Sequence, residues 1–311
     1  MIEREITVEA GGHRLAATLC LPAAEGRFAT VLMAHGSGPL DRDENLGGQR
    51  LDVFNTIAHR LAVGRFASLR YDKRGCGRST GNYFAAGHTD LIDDLLTCFD
   101  ALSALPECQP ERLFLLGHSE GCLVAGAASL HRPAAAGLVL LCPFVEDTES
   151  VLLRQAAQMQ REIDAAPGLG GALACLTVRF MGQPLAGQRR LIERVRATQA
   201  TSFRVGLRRL PARWMRELLA LDARALFAQV RCPLLVIGGD KDLQCLPGDV
   251  DRIAALVQGP VEAHRIADLT HVLRRDACEP TFGRTAGLLV NPVDPQVSEL
   301  VAEWIGRQVG G

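Results

Sequence analysis

The sequence has no long apolar run, no excess of one charge and no paired cysteine motif. Its strongest apolar stretches last about six to eight residues, which is too short for a membrane-spanning helix. The 34 basic and 35 acidic residues give a formal net charge of −1, so the composition offers no support for binding nucleic acid. No C-x-x-C pair occurs among the ten cysteines. This argues against a metal or thioredoxin-like site and favours buried free thiols in a reducing cytoplasm.

The N-terminal residues are charged and alternate with apolar ones. The stretch MIEREITVEAGGHRL lacks the apolar core of a signal peptide. We therefore expect a cytoplasmic protein without stable membrane anchoring. Residues 1–20 instead predict an antiparallel hairpin, with Gly11 and Gly12 as its turn.

Short apolar runs alternate with helical patterns along most of the chain. They cover residues 31–34, 66–71, 112–116, 137–142 and 234–238. Apolar residues between these runs recur at helical spacing, and a last helix is expected from about Pro295 to Gln308. Alternation of this kind predicts βαβ units and therefore an α/β fold with a mostly parallel sheet.

Residues 146–229 break the alternation. They show helical patterns and no strand pattern, which predicts a helical insertion between two strands of the sheet. We therefore expect an α/β core formed by residues 1–145 and 230–311, with residues 146–229 as a helical cap.

The predicted cap is rich in arginine. Between residues 179 and 216, ten arginines and one acidic residue, Glu193, give a formal charge of +9, so the rest of the chain carries −10. The arginines are Arg179, Arg189, Arg190, Arg194, Arg196, Arg204, Arg208, Arg209, Arg213 and Arg216. Two interpretations are open. The arginines form the solvated faces of amphipathic helices, or a basic cap attracts anionic substrates.

A G-x-S-x-G motif at residues 117–121 lies between a predicted strand and a helical segment. A serine on such a strand-to-helix turn has a strained backbone, and glycines on either side let the chain fold back without a clash. The turn raises the hydroxyl above the sheet, which predicts Ser119 as a nucleophile. The alternative is a chance occurrence of the motif in a glycine-rich chain.

A serine hydroxyl needs a base, and in this arrangement the base follows the nucleophile in the chain. Only His131, His264 and His271 lie downstream of Ser119. His131 directly follows the helix after the motif, and His264 falls within an alternating, strand-like run. His271 follows that run in DLTHVLR, where a loop can carry it over the serine, so we predict His271 as the base.

The acid that orients this base is expected after the strand-like run PLLVIGG. Asp240 and Asp242 both stand there. The common G-x-x-D spacing, counted from Gly239, favours Asp242, and Asp240 would then shape the turn.

Two backbone N–H groups are expected to hold the oxyanion. The N–H of Glu120 is the one next to the nucleophile. The second should come from the glycine-rich loop after residues 31–34, where we assign it to Ser37. The alternative interpretation of that loop is a simple glycine turn.

Five segments together resemble a known family. They are HGSGPLDRDEN (35–45), SLRYDKRGCGRS (68–79), GHSEG (117–121), the GGDKD turn and the TH pair at 270–271. These segments are similar to those of bacterial α/β-hydrolase serine esterases with an H-G-S-G-P-x-D-R-D loop, and the similarity covers nearly the whole chain except residues 146–229. The resemblance implies an eight-stranded, mostly parallel sheet with a cap, acting on carboxylic esters without a cofactor.

Carried over by motif, the resemblance implies Ser119, Asp242 and His271 as a catalytic triad, with Ser37 and Glu120 as oxyanion donors. The expected partner is a small-molecule ester. A thioesterase or a peptidase could use the same triad. A non-catalytic protein on this fold is the remaining alternative, although such proteins often lack a triad member and none is missing here.

Overall fold

The computed structural model describes residues 1–168 and 182–310 and has an eight-stranded sheet at its centre. The eight strands of this sheet are β1 (Ile2–Ala10), β2 (His13–Leu21), β3 (Phe28–Ala34), β4 (Ala67–Tyr71), β5 (Cys108–His118), β6 (Gly137–Leu141), β9 (Leu234–Gly239) and β10 (Val261–Ile266). Two further strands, β7 (Phe203–Val205) and β8 (Arg208–Leu210), pair with each other outside it. The order in the sheet is β1-β2-β4-β3-β5-β6-β9-β10. Strand β2 is antiparallel to β1 and β4, and the other neighbours are parallel. The predicted fold class is confirmed.

Helices cover both faces of this sheet. They are α1 (Val53–Val63), α2 (His88–Ser103), α3 (Gly121–His131), α4 (Thr148–Ala165), α5 (Pro184–Ala197), α6 (Ala212–Ala220), α7 (Ala223–Phe227), α8 (Asp249–Leu256), α9 (Thr285–Leu288) and α10 (Pro295–Gly310), with a 3-10 turn at Phe282–Arg284. Helices α1 and α10 bury their apolar side chains with one face of the sheet, and α2, α3 and α8 bury theirs with the other.

The central strands are buried because both of their faces are covered. In β3, Val31 and Met33 belong to the core shared with α1 and α10, whereas Leu32 and Ala34 belong to the core on the opposite face. Successive side chains of a strand point to opposite faces. A strand covered on both sides therefore shows a continuous apolar run instead of alternation, as the sequence does here.

The loops that follow four of the parallel strands carry the residues singled out in the sequence. Ser37 follows β3, Ser119 follows β5, Asp242 follows β9 and His271 follows β10. Parallel strands end at the same edge of a sheet, and sites in open α/β sheets form outside those carboxyl ends. Strand order thus brings together residues that are far apart in the chain.

The segment between β6 and β9 contains α4, α5, α6 and α7, which agrees with its predicted helical character. The expectation that it contains no strand was wrong, because β7 and β8 form an antiparallel hairpin in which Phe203 pairs with Leu210. Each strand has three residues, too few for an alternating pattern. Arginine is also a good helix former, so an arginine-rich hairpin resembles a helix in sequence. The division into core and cap stays a prediction.

The apolar runs at residues 31–34, 66–71, 112–116, 137–142 and 234–238 coincide with strands of this sheet. Among residues 1–168 and 182–310, no helix has both the length and the apolar character needed to cross a membrane. The nine cysteines described in the structure are free, and most of them are buried.

Candidate active site

Ser119 lies on a sharp turn between β5 and α3, with a left-handed backbone (φ 55°) that is unusual for a residue other than glycine. Its N–H donates to the carbonyl of Leu141 at 2.9 Å. A Cβ on Gly117 would lie 2.2 Å from the carbonyl oxygen of Gly121, and one on Gly121 would lie 2.0 Å from that of Ala34. Only glycine fits at both positions, so the two motif glycines are required by the packing of the turn.

The structure brings Ser119, His271 and Asp242 into one chain of hydrogen bonds. Nε2 of His271 lies 3.0 Å from Oγ of Ser119, and Nδ1 lies 2.8 Å from Oδ2 of Asp242. A carboxylate only accepts hydrogen bonds, so Nδ1 carries a proton. In the neutral imidazole, Nε2 is then free to accept the serine proton, which is the arrangement that a general base needs.

Asp242 is held as a carboxylate by its surroundings. Burial alone would raise its pKa, but the electrostatic interaction with His271 and the hydrogen bond from its ring hold the pKa below the usual range. The backbone N–H groups of Gln244 and Cys245 also donate to Oδ1, at 2.7 and 2.9 Å. The carboxylate therefore keeps its charge and its orientation at neutral pH.

The other candidates for base and acid lie elsewhere. His131 is exposed at the end of α3, and His264 pairs with Glu262 on β10 at 2.8 Å. Asp240 is exposed and forms an ion pair with Arg265 at 2.9 Å. The residues favoured by spacing in the sequence are thus the ones that meet at Ser119.

The loop after β3 approaches the nucleophile closely. A Cβ on Gly36 would lie 3.3 Å from Cβ of Ser119. The N–H of Gly36 is engaged, since it donates to Oε1 of Glu44 at 2.7 Å. Within the described part of the chain, the N–H groups of Ser37 and Glu120 donate to no other backbone or side-chain atom. These two donors are therefore free to bind a ligand oxygen.

A buried ion pair that the sequence reasoning missed connects the elements of this site. Nδ1 of His118 lies 2.7 Å from Oε2 of Glu44, and Nε2 of His118 lies 3.0 Å from the carbonyl oxygen of His271. A carbonyl oxygen and an ionised carboxylate can only accept hydrogen bonds. Both ring nitrogens of His118 therefore carry protons. The ring is thus an imidazolium that bridges the Glu44 loop to the loop of His271.

The pKa directions of the two groups agree with this geometry. Burial alone would raise the pKa of Glu44, but the charge of His118 and hydrogen bonds from His118 and the Gly36 N–H lower it. Burial alone would lower the pKa of His118, but the charge of Glu44 and the hydrogen bond to it raise it. Glu44 and His118 both stand in segments that carry the family resemblance. Glu44 is one of four consecutive charged residues, Asp41 to Glu44, so its motif alone did not mark it as the partner of His118.

The stabilisation from this ion pair should depend on pH. Because folding lowers the pKa of Glu44, its contribution is present above the unfolded value of about 4.3 and is lost as pH falls through the folded value. Because folding raises the pKa of His118, its contribution is complete below about 6.5 and is lost as pH rises through the folded value. The pair therefore stabilises the fold most between about pH 4.5 and 6.5.

Glu44→Gln should lower the free energy of unfolding by about 3 kcal/mol at about pH 6, because it leaves a buried imidazolium without its counter-charge. The difference from wild type should narrow toward about pH 9, as His118 becomes neutral in both proteins. Denaturant unfolding over this range measures it. The control is Glu107→Gln, which breaks a pair with Arg4 (2.6 Å) and should give a constant difference because arginine stays charged. A pH-independent loss in Glu44→Gln would show that His118 is not charged.

The side chain of Glu120 forms a second buried cluster beneath the turn. Its Oε1 accepts hydrogen bonds from Nδ1 of His88 at 3.0 Å and from the indole N–H of Trp214 on α6. Burial alone would raise the pKa of Glu120, but the hydrogen bond from His88 and the charge of Lys73 lower it to about 2. One residue of the motif thus joins the turn to the segment between β6 and β9.

A cavity of about 350 Å³ opens in front of Ser119. Its apolar wall comes from both the sheet loops and the segment between β6 and β9. The apolar lining residues are Leu40, Leu46, Leu51, Phe144, Val151, Leu152, Trp214, Met215, Leu218, Val272 and Leu289. Among the described lining residues, Glu44 is the only carboxylate and there is no arginine or lysine. The cavity therefore suits an uncharged, apolar group.

The arginines between residues 182 and 216 do not line this cavity, and several of them contact other groups. Arg196 pairs with Glu149 at 2.6 Å, and Arg213 pairs with Glu217 at 2.7 Å. The guanidinium of Arg194 lies 4.2 Å from the centre of the Phe203 ring. These contacts favour the interpretation of solvated faces over that of a basic pocket. Arg179 lies outside the described residues.

Two groups of described side chains have ligand atoms close enough together to be tested as metal sites. They are His118 with Cys142 and His271, and Asp242 with Cys245 and His271. Both groups include His271, whose ring nitrogens are already hydrogen-bonded to Ser119 and Asp242. Burial also raises the pKa of Cys142 and Cys245 well above the usual range, so these thiols stay protonated. Neither group is suited to bind a metal as it stands.

The sheet order, the strained serine turn and the Ser–His–Asp contacts are those of an α/β-hydrolase. The chain belongs to the family described as serine aminopeptidase, S33 (Hydrolase_4), whose family model matches residues 47–277. It is also similar to esterase EstD of Thermotoga maritima, with 24% identity over 308 residues that cover 97% of this chain and 67% of that protein.

Solved structures share the fold at lower identity. The esterase Est1E of Butyrivibrio proteoclasticus, solved with ferulic acid bound, superposes with a TM-score of 0.66 at 17% identity, covering 98% of this chain and 100% of that one. The α/β-hydrolase GrgF of Penicillium sp. sh18 gives 0.65 at 14% identity over 100% of both chains. The esterase domain of a Rhodothermus marinus protein gives 0.60 at 20% identity over 99% of both.

Proposed function

We propose that the protein hydrolyses uncharged carboxylic esters through an acyl-enzyme on Ser119. The observation that carries this proposal is the hydrogen-bonded chain from Ser119 through His271 to Asp242, with the serine hydroxyl at the wall of an apolar cavity. Membership of a hydrolase family and the similarity to an esterase support the same reaction.

In the proposed reaction, His271 takes the proton of Ser119 as Oγ attacks the ester carbonyl carbon. The carbonyl oxygen becomes an oxyanion held by two backbone N–H groups, those of Ser37 and Glu120. Asp242 keeps the imidazole in the correct tautomer and stabilises the imidazolium. His271 then gives the proton to the leaving alcohol, and the acyl group remains on Ser119. Water repeats the sequence on the acyl-enzyme and releases the carboxylic acid.

The substrate class follows from the wall of the cavity. Burying a charged group without a partner is costly. The described lining has no arginine or lysine, and the imidazolium of His118 is already paired with Glu44, so no unpaired cation is available for an anionic substrate. The volume of about 350 Å³ lies at the lower end of ligand pockets. Esters with short to medium apolar acyl chains fit these properties. In this proposal residues 146–229 act as a cap, because α4 and α6 supply part of the wall.

A peptidase is the second candidate, because the family carries that description. An aminopeptidase must bind the ammonium group of its substrate, for which a free carboxylate is the usual partner. Glu44 already binds His118 and the Gly36 N–H, so it offers a poor site for an ammonium group. This favours an ester substrate. No feature of the described residues favours a thioester over an ester.

The proposal predicts the ranking of a small substrate panel. Neutral p-nitrophenyl esters of four to eight acyl carbons (about the length that the cavity holds) should be hydrolysed at least ~10-fold faster in kcat/KM than an ester of equal length ending in a free carboxylate. An aminoacyl p-nitroanilide should be slower still. Added salt should leave the neutral esters unaffected.

The opposite ranking would identify a different pocket. If the anionic ester is preferred at low salt and its kcat/KM falls as salt rises, the arginines of the predicted cap attract substrate and the apolar assignment is wrong. If only the p-nitroanilide is cleaved, the protein is a peptidase. The Ser119→Ala protein gives the background rate for each compound.

A further inference from the structure

Lys73 is one of only two lysines in the chain and is buried beside the site. It follows β4, the neighbour of β3 in the sheet, and only 3% of its surface is exposed. Burial lowers its pKa. Burying an ammonium group is unfavourable unless the group has partners. In the described part of the chain, the hydrogen bond of its Nζ goes to the carbonyl oxygen of Gly36, at 2.6 Å.

Gly36 is therefore held from two sides by buried charged side chains. Lys73 donates to its carbonyl, and Glu44, which is completely buried, accepts from its N–H at 2.7 Å. Charge-assisted hydrogen bonds of this kind are stronger than neutral ones. Gly36 also lies against Ser119, since a Cβ at this position would be 3.3 Å from Cβ of Ser119. The reaction as proposed above uses neither Lys73 nor Glu44.

The contact with Lys73 sets the direction of the next N–H group. The carbonyl of Gly36 and the N–H of Ser37 belong to one planar peptide unit, and no cis peptide bond occurs in the described residues. In a trans peptide these two groups point in opposite directions. Fixing the carbonyl on Lys73 therefore fixes the Ser37 N–H on the side away from Lys73, and Ser37 lines the cavity together with Ser119.

We propose that Lys73 is a positioning residue of the oxyanion hole, which aims the Ser37 N–H by holding the Gly36 carbonyl, with Glu44 holding the other side of the same residue. The inference rests on the proposed function, because the Ser37 N–H matters only if an oxyanion forms at Ser119. The ammonium group also withdraws electron density through the carbonyl, which makes the N–H a better donor. An oxyanion donor acts mainly in the transition state, so its loss should lower kcat and leave KM nearly unchanged.

A different role for Lys73 would be to balance the charge of the buried Glu120, which lies close enough to affect its pKa. In that case its removal would alter stability and pH dependence without a selective loss of transition-state binding. The two roles differ in the affinity for a tetrahedral adduct, because a boronic acid bound to Ser119 places an oxygen where the oxyanion would lie.

The experiment compares Lys73→Met with Lys241→Met, which removes the other lysine of the chain. Lys241 donates to the carbonyl of Cys278 at 3.2 Å in an exposed contact. Lys73→Met should lower kcat by about 10²-fold, the effect of losing one oxyanion donor, with KM changed by less than about threefold. Affinity for an alkylboronic acid should fall by a similar factor. Lys241→Met should change neither quantity.

Wild-type kcat and boronate affinity in folded Lys73→Met would overturn the proposal, and so would a loss confined to KM. Lys73→Gln, which retains a neutral N–H donor, is measured in parallel. Its kcat and boronate affinity should lie between those of wild type and Lys73→Met. If the methionine variant does not fold, the glutamine variant serves for the same comparison with wild type. If Ser119→Ala loses boronate binding but the Lys73 variants retain it, the proposed function is supported and only the role of Lys73 is wrong. If the wild-type protein forms no boronate adduct, both inferences are wrong.

Discussion

Ser119→Ala is expected to lower kcat for a neutral ester by on the order of 10⁴-fold or more while leaving the fold intact. Alanine keeps the Cβ of serine and so fits the same strained turn, whereas the attacking oxygen is lost. The residual rate would come from substrate binding and the oxyanion donors. Ester hydrolysis and thermal unfolding of the purified variant measure the two effects.

The matched control is Ser129→Ala, on the helix that begins at this turn. The Ser129 hydroxyl donates to the carbonyl of Gly126 at 2.7 Å and lies outside the cavity. Its removal should leave kcat unchanged. A fluorophosphonate probe should modify the peptide that contains Ser119 in wild type and in the control, and should leave Ser119→Ala unmodified. Hydrolysis by Ser119→Ala within tenfold of wild type (about 1.4 kcal/mol in activation free energy) would rule out Ser119 as the nucleophile.

Asp242→Asn should be nearly as damaging, with a loss in kcat on the order of 10⁴-fold. An asparagine side chain can donate its NH₂ to Nδ1 of His271, which favours the tautomer that has its proton on Nε2. That tautomer cannot accept the proton of Ser119. Steady-state kinetics at neutral pH with the preferred neutral ester measures the effect.

Asp240→Asn is the built-in comparison for this substitution, two residues away in the same turn. Asp240 is exposed and binds Arg265 on the surface, so the change should alter kcat by less than about twofold. If Asp240→Asn proves inactive and Asp242→Asn active, with both proteins folded, the assignment of the acid is reversed.

The sheet could be predicted because each strand is specified locally. The runs at 31–34 and 112–116 became β3 and β5, which are covered by helices on both faces and need no partner pattern to be recognised. The serine turn was equally local, since Gly117 and Gly121 lie within five residues of each other and are both required by close packing. The choice of Asp242 over Asp240 depended on a spacing of three residues.

The charged residues around the site could not be predicted in the same way. Glu44 and His118 are 74 positions apart, and Lys73 is 37 positions from Gly36. Their contacts arise because β3, β4 and β5 are neighbours in the sheet, which no single segment specifies. All three charged residues stand in motifs of the sequence, at 35–45, 68–79 and 117–121. The sequence does not show how the strands are paired, and it is this pairing that places each buried charge beside its partner.

Glu120 connects two parts of the protein, and this connection limits which segments could be exchanged with those of a relative. Its backbone belongs to the serine turn, whereas its buried carboxylate binds Trp214 on α6. Among the described residues, His88 and Trp214 donate to that carboxylate, so a chimera that took residues 146–229 from a relative would replace one of its two hydrogen-bond donors. The position equivalent to Trp214 would have to supply a donor, or Glu120 would have to change with it. The pocket wall and the serine turn must therefore be exchanged together.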